Sequence, residues 1–204
     1  FGLVDATYAQ DSSIFIDGEL SAYALGVGGT LEINTSQIRY GQPVVGSSSE
    51  LTREERLAQA NPDSAQDLRV GALNLDADFL DQGGFNAFKF TGRDGLTVAE
   101  GVTLAPQPVS WSLEGVKGLA LQKTGEDLAD FVQALTLASE LRAAPTSLTL
   151  ATRSVLFGDL TIGEGAHLQV DPQGSIELEG WRQLTVLGTL EARGGSIRLT
   201  RPAT

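Results

Sequence analysis

The sequence predicts an all-β chain wound as a solenoid, with about 20–23 residues in each coil. Two observations carry that prediction. The first is a run of short apolar-polar-apolar pulses between Gly158 and Leu199: Leu160-Thr161-Ile162, Leu168-Gln169-Val170, Ile176-Glu177-Leu178, Leu184-Thr185-Val186 and Ile197-Arg198-Leu199. Their leading residues 160, 168, 176 and 184 are evenly spaced, eight apart. Alternation of this kind turns one face of a strand indoors and the other to water. A pulse so short buries little alone and needs a copy of itself to stack on. The second observation is that copy. Gly174-Ser175-Ile176-Glu177-Leu178 returns 21 residues later as Gly195-Ser196-Ile197-Arg198-Leu199, the inward positions keeping their character while Glu177 becomes Arg198.

Taken in order, the first dozen residues have no clear period, and Ser13 to Gly18 reads as a strand and turn. Gly28-Gly29-Thr30-Leu31-Glu32-Ile33 resembles Gly194 to Leu199 near the other end, which favours one continuous unit over residues 1–204. Residues 42–70 break the pattern: Glu50 to Leu57 has a mostly polar helical spacing, with Thr52 and Glu55 at capping-box distance and Asn61-Pro62 as a stop. Pulses resume at Leu73-Asn74-Leu75, Phe88-Lys89-Phe90, Leu96-Thr97-Val98 and Val102-Thr103-Leu104, with Leu73 and Leu96 about one coil apart. Gly92-Arg93-Asp94-Gly95 reads as a turn. A second insertion covers 105–146, where Leu128, Phe131, Val132 and Leu135 fall on one face of an expected helix over Gly125 to Arg142. From Leu148-Thr149-Leu150 the strands continue to the end. The 24 glycines in 204 residues exceed the usual share of about 7%, as many tight corners require.

Composition narrows the function. A net charge of −12 with few aromatics disfavours nucleic acid, whose backbone is gripped by Lys and Arg and whose bases stack on rings. The chain has no cysteine, hence no disulfide or thiolate metal site. No run of about 18 apolar residues is present, so no membrane-spanning helix is expected. The chain has no methionine and starts at Phe1-Gly2-Leu3, which reads as an internal piece of a longer protein.

Residues capable of chemistry are sparse. His167 is the only histidine, without a nucleophile signature beside it, and is read as a surface residue. Asp76, Asp78 and Asp81 form the densest carboxylate group and would serve a polysaccharide hydrolase or lyase, but outward positions of a solenoid carry carboxylates anyway. The tandem glycine-aspartate repeat that binds calcium between coils is absent, and Asp171-Pro172-Gln173-Gly174 reads as a turn. Trp111 and Trp181, the only tryptophans, are read as buried at turns or under an insertion instead of stacking on sugars. No catalytic, cofactor-binding or metal residue is therefore assigned. Leucine-rich repeats share the Leu-x-Leu pulse, but their asparagine ladder is missing.

The central segment Leu73-Asn74-Leu75-Asp76, Gln82-Gly83-Gly84-Phe85 and Gly92-Arg93-Asp94-Gly95-Leu96-Thr97-Val98 resembles the filamentous haemagglutinin family of large exoproteins, the passengers of two-partner secretion in Gram-negative bacteria. The resemblance covers about residues 70–200 and brings no catalytic residues. It implies a right-handed parallel β-helix, export through a partner outer-membrane β-barrel transporter, and a secreted or cell-surface location. The lack of cysteine suits that route, since a disulfide would hinder threading through a pore. The expected role is a structural and adhesive segment that attaches to a host or bacterial surface receptor or glycan. Two alternatives are a spacer in the shaft of a contact-dependent growth inhibition toxin and a β-helical polysaccharide-active enzyme.

Overall fold

The computed structural model describes residues 14, 16, 20–24, 27–41, 72–81, 83–112, 133–136, 138, 142 and 144–202. The regular structure among these residues is almost entirely β, and nearly all strand pairs are parallel. The strands are β1 (Gly29–Tyr40), β2 (Ala72–Leu75), β3 (Phe85–Val98), β4 (Thr103–Leu104), β5 (Val109–Ser112), β6 (Gln133–Thr136), β7 (Ser147–Thr152), β8 (Asp159–Ile162), β9 (His167–Val170), β10 (Ser175–Glu179), β11 (Gln183–Val186), β12 (Thr189–Ala192) and β13 (Ser196–Thr200). A single 3₁₀ turn, Ala77–Asp81, interrupts them.

Three parallel ladders organise the strands. The first stacks the N-terminal half of β1 on that of β3, then β7, β10 and β13. The second stacks β2, the C-terminal half of β1, that of β3, β8 and β11. The third stacks β4, β9 and β12. From β3 onward the chain visits the three in the same order on each pass. The even step of eight residues in the sequence is thus the step from one ladder to the next, while the copy at 21 residues is the neighbour within a ladder.

Register makes the inward columns. Leu31, Phe88, Leu148, Ile176 and Ile197 are successive partners, as are Ile33, Phe90, Leu150, Leu178 and Leu199. In the second ladder Leu73, Ile38, Leu96, Leu160 and Leu184 form one column. Leu104, Leu168 and Leu190 form another in the third. The middle members of these columns are fully buried and make one core. Tyr40 closes it at one level, edge-on to Phe90 at 5.6 Å. Its hydroxyl has no hydrogen-bond partner, and burial pushes its pKa well above the ordinary value. At the other end Ile197 and Leu199 are exposed, because no strand among the described residues covers β13.

Several expectations are corrected. Leu73 and Leu96 share a column, but they are two rungs apart with Ile38 between them, since β2 pairs on the far side of β1. Gly92 to Gly95 is a sharp bend inside one strand, not a turn between two. There Ser36 of β1 faces both Arg93 and Asp94, a β-bulge that rotates the chain from the first ladder to the second. The helix expected over Gly125 to Arg142 is replaced at 133–136 by β6, which pairs antiparallel with β5 and leaves Leu135 exposed. Four residues, Gln133 to Thr136, are too few to fix a period, and a strand partner decides the conformation. Leu128, Phe131 and Val132 lie outside the described residues, as does the whole 42–70 insertion. Ile14 and Ile16, the described members of the strand expected at Ser13 to Gly18, are in no strand, although Ile16 packs against the core.

Corners are set by glycine where two passes touch. A Cβ on Gly195 would strike the Gly174 carbonyl oxygen one rung below. Asp171 to Gly174 is closed by the Gly174 N–H donating to the Asp171 carbonyl at 2.8 Å, with Gln173 at φ 67°. One pass later Gly195 N–H donates to the Ala192 carbonyl and Gly194 holds φ 63°. Both are turns that need a left-handed third residue, the first with proline ahead of it.

These columns fix a stability test. Ile176→Asp places a charge without a partner inside the stack and should cost several kcal/mol in urea denaturation. Glu177→Lys faces water, loses a 3.5 Å pair with Arg198, and should cost about 1 kcal/mol or less. Equal losses would contradict the inward assignment of Ile176.

Candidate interaction surface

The side chains between the inward positions form outward columns with the same register. On the first ladder Glu32, Lys89, Thr149, Glu177 and Arg198 stand one above another, beside a second column of Thr30, Ala87, Ser147, Ser175 and Ser196. On the second, Arg39, Thr97, Thr161 and Thr185 are stacked at about the 4.8 Å spacing of paired strands. The third carries Thr103, His167 and Thr189. Opposite charges alternate along the Glu32 column, and hydroxyl ladders fill the others. Such faces are polar and periodic, suited to contacts spread over area.

Candidate residues from the sequence do not converge. His167 Nε2 lies 3.2 Å from Glu191 Oε2 on the third ladder, and Arg193 binds the other carboxylate oxygen. The hydrogen bond from Arg193 holds the Glu191 carboxyl below the usual carboxylate range; partial desolvation opposes it, and His167 adds a smaller push downward. No nucleophile joins this group. Asp76 precedes the 3₁₀ turn and Asp78 lies within it, both exposed. Asp81 instead accepts the Gln107 N–H at 2.9 Å and pins the segment after β4. Among the described residues no three His, Asp or Glu side chains are arranged to hold a metal ion. No helix among them is long and apolar enough to cross a membrane. Trp181 is half-buried at the corner between β10 and β11, its indole N–H donating to Glu179 at 3.2 Å. Trp111 belongs to β5.

The structure brings forward residues that periodicity does not reveal. Asn86 is the extra residue of a bulge at the start of β3; its side-chain oxygen accepts the Gly28 N–H at 2.7 Å and its amide donates to the Ala144 carbonyl at 3.0 Å, so it ties three levels together. Asp171, read as a plain turn residue, is buried. It pairs with Arg142 at 2.5 Å, accepts the Thr146 N–H, and donates its own N–H to Thr146 Oγ1. That cluster clamps the entry to β7 onto the corner after β9. Nothing in spacing signals it, because burial there depends on which distant segment covers the turn.

The corner between the first and second ladders differs from pass to pass. One residue, Ser36, makes it in β1, and two, Arg93 and Asp94, make it in β3. Between β7 and β8 six residues, 153–158, bulge outward, and between β10 and β11 three do, Gly180, Trp181 and Arg182. Each of the last three levels carries an arginine paired with a carboxylate: Arg93 with Asp94, Arg153 with Glu179, and Arg182 with Asp159. Exposed pairs of this kind contribute little to stability.

No family model, curated protein or solved structure matches the chain.

The buried clamp gives a second test. Arg142→Ala leaves the Asp171 carboxylate buried with one hydrogen bond to Thr146, and should lower unfolding free energy by about 3 kcal/mol. A loss within about half a kcal/mol, the range of a surface substitution, would show that Asp171 is solvated instead.

Proposed function

We propose that the chain is a length of right-handed parallel β-helical shaft from a large secreted or surface-exposed bacterial exoprotein of the filamentous haemagglutinin type, and that it serves attachment. The observation that carries this reading is the repeated order of the three ladders with in-register columns, which one continuously wound chain produces. Right-handed winding follows from the strong preference of parallel crossover connections for that hand. A stack of this kind is stiff along its axis, because every rung is bonded to the rungs above and below it. Among the described residues β13 has one edge without a strand partner, a surface available for pairing.

The outward columns support an adhesive role over an enzymatic one. They spread polar groups over the outward faces, and of the carboxylates nominated for hydrolysis Asp81 is used as a tether to Gln107. Export through a two-partner transporter fits the absence of cysteine and a fold whose rungs form one after another as the chain emerges. Beads coated with the purified chain should adhere saturably to bacterial or host cells and pick out defined glycans or surface proteins on arrays. Lack of adhesion to every surface, together with turnover of an acidic polysaccharide that Asp76→Ala or Asp78→Ala abolishes, would overturn the proposal in favour of the enzyme.

A further inference from the structure

Among the described residues no strand pairs on the far side of β13. The Ser196 N–H and the Thr200 carbonyl are engaged on the β10 side, with the Gly174 carbonyl at 3.0 Å and the Gly180 N–H at 3.1 Å. Alternate residues of a parallel strand turn their backbone groups to opposite neighbours, so those of Ile197 and Leu199 face the open edge. Their side chains are 45% and 53% exposed, whereas Ile176 and Leu178, in the same columns one rung below, are fully buried. At the opposite end of the stack Ile33, Leu73 and Leu75 are buried. One end of the stack is therefore covered and the other is not.

Register specifies what a strand added to β13 must carry. Every neighbour in the first ladder is parallel and aligns inward residues with inward, outward with outward. The two positions over Ile197 and Leu199 therefore take aliphatic side chains. The residue between them faces Arg198, which is 72% exposed and has Glu177 at 3.5 Å on the rung below. A carboxylate directly opposite Arg198 is favoured across strands, and a Lys or Arg there is disfavoured. The corner ahead of the strand selects too. A Cβ on Gly174 would strike the Thr146 carbonyl oxygen, and a Cβ on Gly195 would strike that of Gly174. The same step above Gly195 calls for glycine again. The resulting signature is Gly-Ser/Thr-aliphatic-Asp/Glu-aliphatic. This chain holds it at Gly29 to Ile33 and at Gly174 to Leu178, both already built into rungs, so a second folded copy has no such segment to offer.

We propose that the β13 edge takes up an extended segment of a different protein, with this signature, as one more parallel strand. Main-chain hydrogen bonds to Ile197 and Leu199 supply the affinity, and Arg198 supplies the selection. The inference does not depend on the attachment role, and a peptide tests it without any cell or glycan.

The probe is a labelled peptide with the sequence of residues 174–179, Gly-Ser-Ile-Glu-Leu-Glu, between flexible Gly/Ser ends; in its control the first glutamate is lysine. In anisotropy titrations with the full chain the glutamate peptide should bind about fivefold more tightly than the lysine peptide. Arg198→Glu should reverse that preference, and Ile197→Ser with Leu199→Ser should weaken both peptides by about tenfold or more. Circular dichroism of each variant checks the fold. Amide hydrogen exchange at Ile197 and Leu199 should slow when the glutamate peptide is saturating, while exchange at Ile176 stays as it was. No binding, equal binding of the two peptides, an unreversed preference in Arg198→Glu, or no added protection at Ile197 and Leu199 would each overturn the proposal. Sedimentation showing that the chain alone self-associates, and that Ile197→Ser with Leu199→Ser makes it monomeric, would overturn it in favour of a second copy.

Discussion

Each interior strand in this chain has its backbone groups satisfied only by strands one pass away. Parallel pairs cannot be closed by a short hairpin, so the hydrogen bonds of the three ladders join residues far apart in the chain, from β3 onward residues one pass apart. Buried backbone groups require partners, which makes register collective: a slip at one rung would orphan its neighbours and turn its apolar set outward. The columns Leu31 to Ile197 and Leu73 to Leu184 follow from that constraint. So does the gradient of burial, from fully buried Ile176 to exposed Ile197 in the same column.

With the faces fixed by register, variation is confined to the corners. The first-to-second corner takes one, two, six and three residues on successive passes without disturbing the columns on either side. The polar residues that the core does accept, Asn86, Thr146, Thr152 and Asp171, are all at or next to corners, where a pass must be tied to the next. Thr152 shows the economy of this arrangement: its hydroxyl donates to the Gly158 carbonyl and accepts the Trp181 N–H, linking two corners through one side chain.

Much of the repeating part was legible in the sequence, because alternation with period two is dictated by the pleat and the inward positions repeat. Leu160, Leu168, Ile176 and Leu184 are readable as inward from spacing alone, the first three fully buried and Leu184 partly buried against them, and the 21-residue copy gives the Ile176–Ile197 pairing. Thr189–Ala192 escaped notice, since a pulse ending in alanine is weak against its background. The strand at 133–136 was hidden by apolar residues that also fit a helical face, and only its partner β5 settles the conformation. The corner at 153–158 was invisible for a different reason. Val155, Leu156 and Phe157 look like core until the register shows that β7 ends at Thr152 and β8 starts at Asp159. The buried Arg142–Asp171 pair depends on contact between segments 29 residues apart, a fact that composition and period do not contain.

The central claim is in-register stacking of successive passes, and cysteine cross-linking tests it in a chain that has no cysteine of its own. Thr161 and Thr185 are direct partners on the outward face of the second ladder, whereas Gln183 is the partner of Asp159, two residues away along the strand. Paired strands about 4.8 Å apart bring Cα atoms within the disulfide range of about 4.4–6.8 Å. Thr161→Cys with Thr185→Cys should close an intramolecular disulfide under mild oxidation, and Thr161→Cys with Gln183→Cys should not. Preferential closure of the second pair, or of neither, would contradict the stacking described here.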